Sequence, residues 1–266
     1  MSTSDLWQDL ERIRERAPLV HNITNFVVMN TTANALLAIG ASPVMAHAIE
    51  EVEEMVNMAQ ALVINIGTLS ADWIDSMMTA ARAARKKAIP IVLDPVGCGA
   101  TRFRTAAVEK LLQESPPTII RGNASEIMAV NQTWNNTKGV DSTARSEQAL
   151  SSAQALSRSC QCVVTVSGAV DLIVQDNSIA RVWNGHPMMP RVTGLGCTAT
   201  AITGAFAAIN ASPFQAAAHA MALMGIAGEI AGERSPGPGS FQINFLDVLH
   251  AIQESDIRQR LKMEMP

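Results

Sequence analysis

The chain has 266 residues and a formal net charge of −4, so no overall positive field draws it to nucleic acid or to an anionic membrane. Hydrophobic residues make up 48% and charged residues 17%, below the usual quarter, which suggests extensive buried surface and an oligomer interface. Aromatics are 4%, tyrosine is absent, and alanine supplies much of the apolar content. The first residues, "MSTSDLWQDLERIRERAP", mix acids and bases, which predicts no secretory signal; Leu6, Leu10 and Ile13 predict a surface helix with one packed stripe.

Farther along the chain, short apolar runs alternate with helical patterns. "ASPVMA", "ALVINIG", "IPIVLDPVG" and "PTIIRGN" read as buried strands. "NFVVMNTTANALLAIG", "EEVEEMVNMAQ", "SADWIDSMMTAARAARKKA" and "RTAAVEKLLQES" read as helices. This order predicts a parallel sheet with helices on both faces, a three-layer αβα sandwich in one domain spanning 1–266. "NQTWNNTKGVDST" (131–143) reads as an exposed loop. After residue 160, "CQCVVTVSG", "DLIVQDN" and "IARVWNG" predict three short strands with an antiparallel meander, followed by helices near 196–209, 213–232 and 243–253. The four cysteines form no zinc pattern and read as reduced thiols in a cytosolic protein; "AAAHAMALMGIAGEIAG" reads as a buried helix and not as a membrane span.

The chemistry concentrates in a few stretches. "TGLGCTA" fits the dinucleotide fingerprint through Gly194, Gly196 and Ala199, but "NGHPMMPRVT" before it is no core strand, which argues against that reading. The alternative is a glycine turn whose free N–H groups face a phosphoryl group at a helix start, with Cys197 at its mouth. A ligand-free glycine N-cap explains the same residues. Asp94 ends the strand of "LDPVGCG", where open α/β sheets place ligands, and Arg121, Asn123 and Glu126 follow the next strand in "IIRGNASEI". Asp94 and Glu126 together suit magnesium, while Glu126 alone also fits a capping box with Asn123. Thr165, Ser167 and Gly168 form a polar turn that a plain hairpin would explain equally well. "ERSPGPGSFQINFLDVL" reads as a rigid Pro-Gly loop leading into a helix.

Read in order, "PLVHNITNFVVMNTTANALLAIGASPVMAHA", "ALVINIGTL", "IVLDPVGCGAT", "IIRGNASEI", "TVSGAVD", "VTGLGCTAT" and "GPGSFQINFLD" resemble the hydroxyethylthiazole kinase family of the ribokinase-like group. The resemblance spans nearly the whole chain. It implies a ribokinase-like fold without a lid domain and transfer of the γ-phosphate of ATP to the primary hydroxyl of 4-methyl-5-(2-hydroxyethyl)thiazole in thiamine salvage. It implies Met45 and Gly194 in the thiazole pocket, Arg121 and Ser167 on ATP, and Asp94 and Glu126 near Mg2+, in part through water. Asn25 and Gly67 fall in stretches near the acceptor. The wider group carries aspartate where this chain has Cys197, as the thiazole branch does, so the thiol takes the base position. A homotrimer with pockets at subunit boundaries and a cytoplasmic location are also implied. Hydroxymethylpyrimidine kinases and ATP-dependent hydrate dehydratases, whose glycine turn carries the aspartate, are the rival enzymes; a non-catalytic nucleotide-binding scaffold is the rival without turnover. The helix start should lower the Cys197 pKa and a nearby phosphate should raise it, and the sequence leaves that balance open.

Overall fold

The computed structural model describes residues 3–135 and 145–266. In chain order the elements are α1 (Thr3–Arg16), β1 (Leu19–Ile23), α2 (Met29–Ala38), β2 (Ser42–Val44), α3 (Val52–Met58), β3 (Ala61–Asn65), α4 (Ala71–Lys87), β4 (Ile91–Asp94), α5 (Arg102–Glu114), β5 (Ile119–Asn123), α6 (Ala124–Trp134) and α7 (Arg145–Cys160). They continue with β6 (Val163–Ser167), β7 (Asp171–Gln175), β8 (Ser178–Val182), α8 (Leu195–Ile209), α9 (Pro213–Glu233), α10 (Pro238–Ala251), α11 (Glu254–Arg260) and β9 (Met263–Glu264).

All strands join one nine-stranded sheet in the order β2-β1-β3-β4-β5-β6-β7-β8-β9. Neighbours from β2 to β6 run parallel, and β6 to β9 form the expected antiparallel meander with β9 added at its edge. The α/β expectation and the helices on both faces are met. Alternate residues of one strand enter opposite cores: Ala61 and Val63 of β3 pack with α8 and α9, while Leu62 and Ile64 pack with residues of α4 such as Met77 and Ala81. Both faces are buried, so the strands read as continuous apolar runs.

Several elements differ from the sequence reading. β1 was not among the expected strands because His21 and Asn22 interrupt its apolar run. Both are buried with local partners: His21 Nε2 lies 2.7 Å from Ala46 O, and Asn22 Nδ2 donates to Val20 O at 2.8 Å. α7 was not anticipated, and α10 begins at Pro238, inside the expected Pro-Gly loop, because proline suits a first helical position. Residues 131–134 belong to α6 instead of a loop, and 136–143 lie outside the described residues.

The strand order reverses between β1 and β3, so the crevice that such a reversal opens lies at their carboxyl ends. α8 crosses this region and packs on β1, β3 and β4, which its small residues permit. A Cβ on Gly204 would lie 2.7 Å from Val63 Cγ2. α9 presents a second row of notches: a Cβ on Gly225 would lie 2.5 Å from the Asn184 carbonyl oxygen, and one on Gly228 would lie 2.5 Å from Met189 Sδ. These notches seat the segment that follows β8.

Gly225→Ala must displace backbone at Asn184, because a carbonyl oxygen cannot rotate away as a side chain can. The expected cost is about 1–3 kcal/mol, typical of overpacking. Thermal unfolding should show it as a fall of several degrees in Tm, and an unchanged Tm would contradict the close packing described.

Candidate active site

The turn into α8 is built on Gly194, which has φ 85 and serves as N-cap. Left-handed backbone favours glycine here, and a Cβ would also meet Val28 Cγ1 at 2.7 Å. No side chain caps the helix, so the first N–H groups of α8 remain open to an anion. Gly196 leaves room for Arg121, whose Nη1 lies 2.9 Å from where a Cβ would stand.

Beneath this turn a polar network ties four elements together. Asn25, after β1, donates from Nδ2 to Asn65 Oδ1 at 2.8 Å and to Cys197 Sγ at 3.4 Å. Asn65, at the end of β3, donates to Asp94 Oδ2 at 2.9 Å, and Thr200 Oγ1 donates to the same oxygen at 2.7 Å. Asp94 Oδ1 is buried and has no partner. Thr200 stands one turn beyond Cys197 on α8, so helix geometry brings hydroxyl and thiol to one face. Gly67 closes over this network: a Cβ there would lie 2.6 Å from Asn25 Nδ2.

Electrostatics set the protonation states. Burial pushes Asp94 up to about 6, against the Arg121 charge and the Thr200 hydrogen bond, with Glu126 adding to the rise. Burial and then the Asp94 charge also hold the Cys197 thiol above its ordinary value, and hydrogen bonds from Asn65 and Asn25 oppose them. Burial and Asp94, neither of which entered the sequence reading, act on the side of the protonated thiol. Cys197 is half-buried, while Cys98, Cys160 and Cys162 are buried, and all four are free.

Glu126 is the capping-box partner of Asn123. Its Oε2 accepts from Asn123 N and its Oε1 from Gly97 N, both at 2.9 Å, which joins the loops after β4 and β5. Each oxygen keeps a further lone pair.

Arg121, Ser167 and Gly194 line a common cavity of about 730 Å³. Arg121 is buried, and its Nε has no partner. Ser167 Oγ donates to Gly122 O at 3.3 Å. Met45 follows β2 at the sheet's edge, half-buried, and like Cys197, Asp94 and Glu126 is not part of this cavity. The expected residues thus divide between a cavity reached by Arg121, Ser167 and Gly194 and the adjoining network of Asp94 and Cys197.

Sequence reasoning missed four contributors. Asn65 was visible only as a strand-ending polar residue, and Thr200 carried no signal in an Ala-rich helix. Arg104 clamps two loops, donating from Nη1 to Val96 O at 2.6 Å and Ile66 O at 2.8 Å, and from Nη2 to Gly67 O at 2.6 Å. Asp171 lines the cavity and accepts from Gly168 N at 2.9 Å. Burial raises its carboxyl to about 6, with the Gly168 hydrogen bond and the Arg121 charge opposing.

Because the folded pKa of Asp171 is raised, its ionisation weakens the fold as pH climbs from the usual carboxylate range to about 6. Asp171→Asn removes that burden while its amide oxygen can still accept from Gly168. The stability of the variant relative to the parent should therefore increase across that window and level off above it, by about 3 kcal/mol at most for a two-unit shift. Denaturant titrations at several pH values measure this difference, and a gap that shrinks with rising pH would contradict the assignment.

A sequence model of the hydroxyethylthiazole kinase family matches residues 10–255. A protein of Syntrophus aciditrophicus named hydroxyethylthiazole kinase is 57% identical over 264 residues, covering 99% of this chain and 98% of that protein. A protein of the same name from Nitratidesulfovibrio vulgaris (strain DSM 19637 / Miyazaki F) is 53% identical, with 99% of each chain covered. The solved hydroxyethylthiazole kinase of Pyrococcus horikoshii OT3 superposes with a TM-score of 0.92 at 45% identity, again over 99% of both chains. Pyridoxal kinase of Staphylococcus aureus, in complex with AMP-PCP and pyridoxal, superposes with a TM-score of 0.65 at 14% identity, a likeness of fold. With the family model spanning most of its length and near full-length relatives above half identity, the chain belongs to the hydroxyethylthiazole kinase family.

Proposed function

We propose that this chain phosphorylates the primary hydroxyl of 4-methyl-5-(2-hydroxyethyl)thiazole at the expense of ATP, a step of thiamine biosynthesis and salvage. The observation that carries this reading is 57% identity, over 99% of the chain, to a relative named for that activity. The open helix start beside Arg121, Asp94 and Cys197 supplies geometry suited to it. Phosphoryl transfer passes through a loose transition state, so catalysis rests on positioning and charge stabilisation.

In this reading Arg121 and Ser167 hold the ATP phosphates, and the N–H groups after Gly194 receive the group in transit. Met45 and Gly194 border the thiazole, with Asn25 and Gly67 close to the acceptor. The donor set fits Mg2+: Asp94 offers a buried, unpartnered oxygen, and Glu126 retains lone pairs on oxygens already fixed by backbone N–H groups. Such an ion takes one or two carboxylates with phosphates and water, so Asp94 and Glu126 would hold it in part through water. When bound, it neutralises charge on the phosphate oxygens.

Cys197 accepts the proton of the acceptor hydroxyl late in transfer. Its raised pKa makes the thiolate a stronger base but a scarcer one at neutral pH. A carboxylate at the same position would be ionised throughout the neutral range. The wider group's aspartate and this chain's cysteine are thus two answers to one requirement, differing in how much base is populated.

Other features extend the proposal. Phe26 (65% exposed) and Val27 (63%) follow Asn25 directly, and Ile243 (66%) lies on α10, which packs against α2. These exposed apolar side chains offer the kind of surface a subunit interface covers, as a homotrimer with acceptor pockets at subunit boundaries would need. One sheet through all described strands supports a single kinase domain without a lid. Among the described residues no helix is long and apolar enough to cross a membrane, and four free cysteines suit a reducing cytoplasm.

Coupled ADP release, measured with ATP, Mg2+ and a panel of alcohols, tests the activity. Hydroxyethylthiazole should drive release and hydroxymethylpyrimidine should not; silence with every thiazole despite ATP binding would overturn the proposal. For the base, Cys197→Ala should lose about 10²–10⁴ in kcat with ATP affinity little changed. Cys197→Asp should keep or raise turnover. The parent's kcat should climb with pH above neutral, as the thiol ionises, while that of Cys197→Asp stays flat. Equal rates for Cys197→Ala and the parent would remove the base role.

A further inference from the structure

Arg104, the third residue of α5, reaches back over the loops that follow β3 and β4. Its Nη1 donates to Ile66 O at 2.8 Å and Val96 O at 2.6 Å, and its Nη2 donates to Gly67 O at 2.6 Å. Among the described residues it forms no ion pair, so its charge is directed at neutral carbonyls. A cation in the first turn of a helix opposes the macrodipole, and α5 has no acidic residue there to offset it. The position is therefore unfavourable for the helix itself, which leaves the three carbonyls as what the guanidinium serves. Its planar fork holds them at fixed angles, as a lysine ammonium cannot.

Ile66 O and Gly67 N belong to one planar peptide group, so pinning the carbonyl aims the N–H on its opposite side. That N–H donates to Asn65 Oδ1 at 3.0 Å. A backbone N–H can only donate, so this bond turns the Asn65 amide oxygen toward Gly67 and its nitrogen toward Asp94 Oδ2, 2.9 Å away. The same Asn65 oxygen accepts from Asn25 Nδ2 at 2.8 Å, and the remaining proton of that nitrogen meets Cys197 Sγ at 3.4 Å. A flipped Asn25 would set two carbonyl oxygens against each other and leave the sulfur without this donor. Gly67 also bears on Asn25 directly, since a Cβ there would lie 2.6 Å from Nδ2.

We infer that Arg104 is a positioning residue for the transfer: it orients the peptide between Ile66 and Gly67, and through it the Asn65 and Asn25 amides, so that Asn25 keeps an N–H on the Cys197 sulfur. Arg104 itself lies outside the cavity lined by Arg121. The effect on turnover rests on the kinase reading above, whereas the amide chain stands without it. Burial and the Asp94 charge hold the thiol up, and the Asn65 and Asn25 hydrogen bonds and the Arg121 charge draw it down. Loss of the Asn25 bond therefore leaves less thiolate at a given pH.

A double-mutant cycle tests this, with the parent, Arg104→Ala, Asn25→Ala and the pair. Its readouts are iodoacetamide alkylation of Cys197 without nucleotide and steady-state kinetics of thiazole phosphorylation. Cys98, Cys160 and Cys162 are buried, so Cys197 is the thiol that reacts first in the folded protein. Each single variant should slow alkylation by about three- to tenfold, and the pair should be no slower than the slower single variant. Arg104→Ala should lower kcat by about tenfold with the KM for ATP within about twofold, and its effect on kcat should shrink in the Asn25→Ala background. Arg104→Lys, which keeps the charge without the fork, should fall between, and it carries the cycle if Arg104→Ala does not fold. Unchanged or faster alkylation in a folded Arg104 variant, or effects that add in the cycle, would show a role in stability alone and overturn the inference. If the parent phosphorylates no alcohol while the alkylation cycle is non-additive, the kinase reading fails and the placing of the thiol by Arg104 stands.

Discussion

The Arg121 guanidinium of β5 is buried within electrostatic reach of two carboxyl groups, Asp94 and Asp171, that burial pushes up to about 6. A charge removed from water needs counter-charge, and each carboxylate is easier to ionise for having Arg121 beside it. Gly196 exists in this setting to let the guanidinium approach the first turn of α8. The strand ends, the helix start and the cavity are therefore organised around one cation, which also suits the charge of a transferring phosphate.

α8 carries this arrangement through the fold. Its N-terminus faces the site, Thr200 one turn on bonds Asp94, and Gly204 farther along seats against Val63. Ala199, Ala201 and Ala205 are buried, so the helix lies close to the sheet without large side chains as spacers. The abundance of alanine and the scarcity of aromatics follow from this close packing. α9 repeats the device, using Gly225 and Gly228 to hold the segment after β8 and so shape the far end of the cavity.

Asp94 and Cys197 illustrate how neighbouring groups divide labour. Both are raised by burial, and each is affected by the other through charge or shared amides: Asn65 bonds Asp94, and Asn25 links Asn65 to Cys197. Because the Asp94 charge raises the Cys197 thiol, protonating Asp94 lowers the cost of ionising Cys197. Thr200 and Asn65 keep Asp94 positioned whichever state it takes.

The sequence by itself determined the alternation of strands and helices, because buried parallel strands are apolar throughout and their ends are marked by Gly, Asn, Asp and Pro. It also placed Asp94 at a strand end, Glu126 in a capping box with Asn123, and Gly194, Gly196 and Cys197 at a helix start, since local backbone chemistry dictates those positions. β1 escaped because His21 and Asn22 look misplaced until their buried hydrogen bonds are seen. Only the tertiary structure decided that Asn25, Asn65, Asp94 and Thr200 share one network across 175 residues of chain, since none has a local signal for a distant partner. The same is true of the cavity that joins Arg121 to Trp183 and α9: its walls come from separate elements, and packing alone brings them together. The direction of the Cys197 shift was likewise a tertiary matter, because burial and the nearness of Asp94 depend on how α8 meets the sheet.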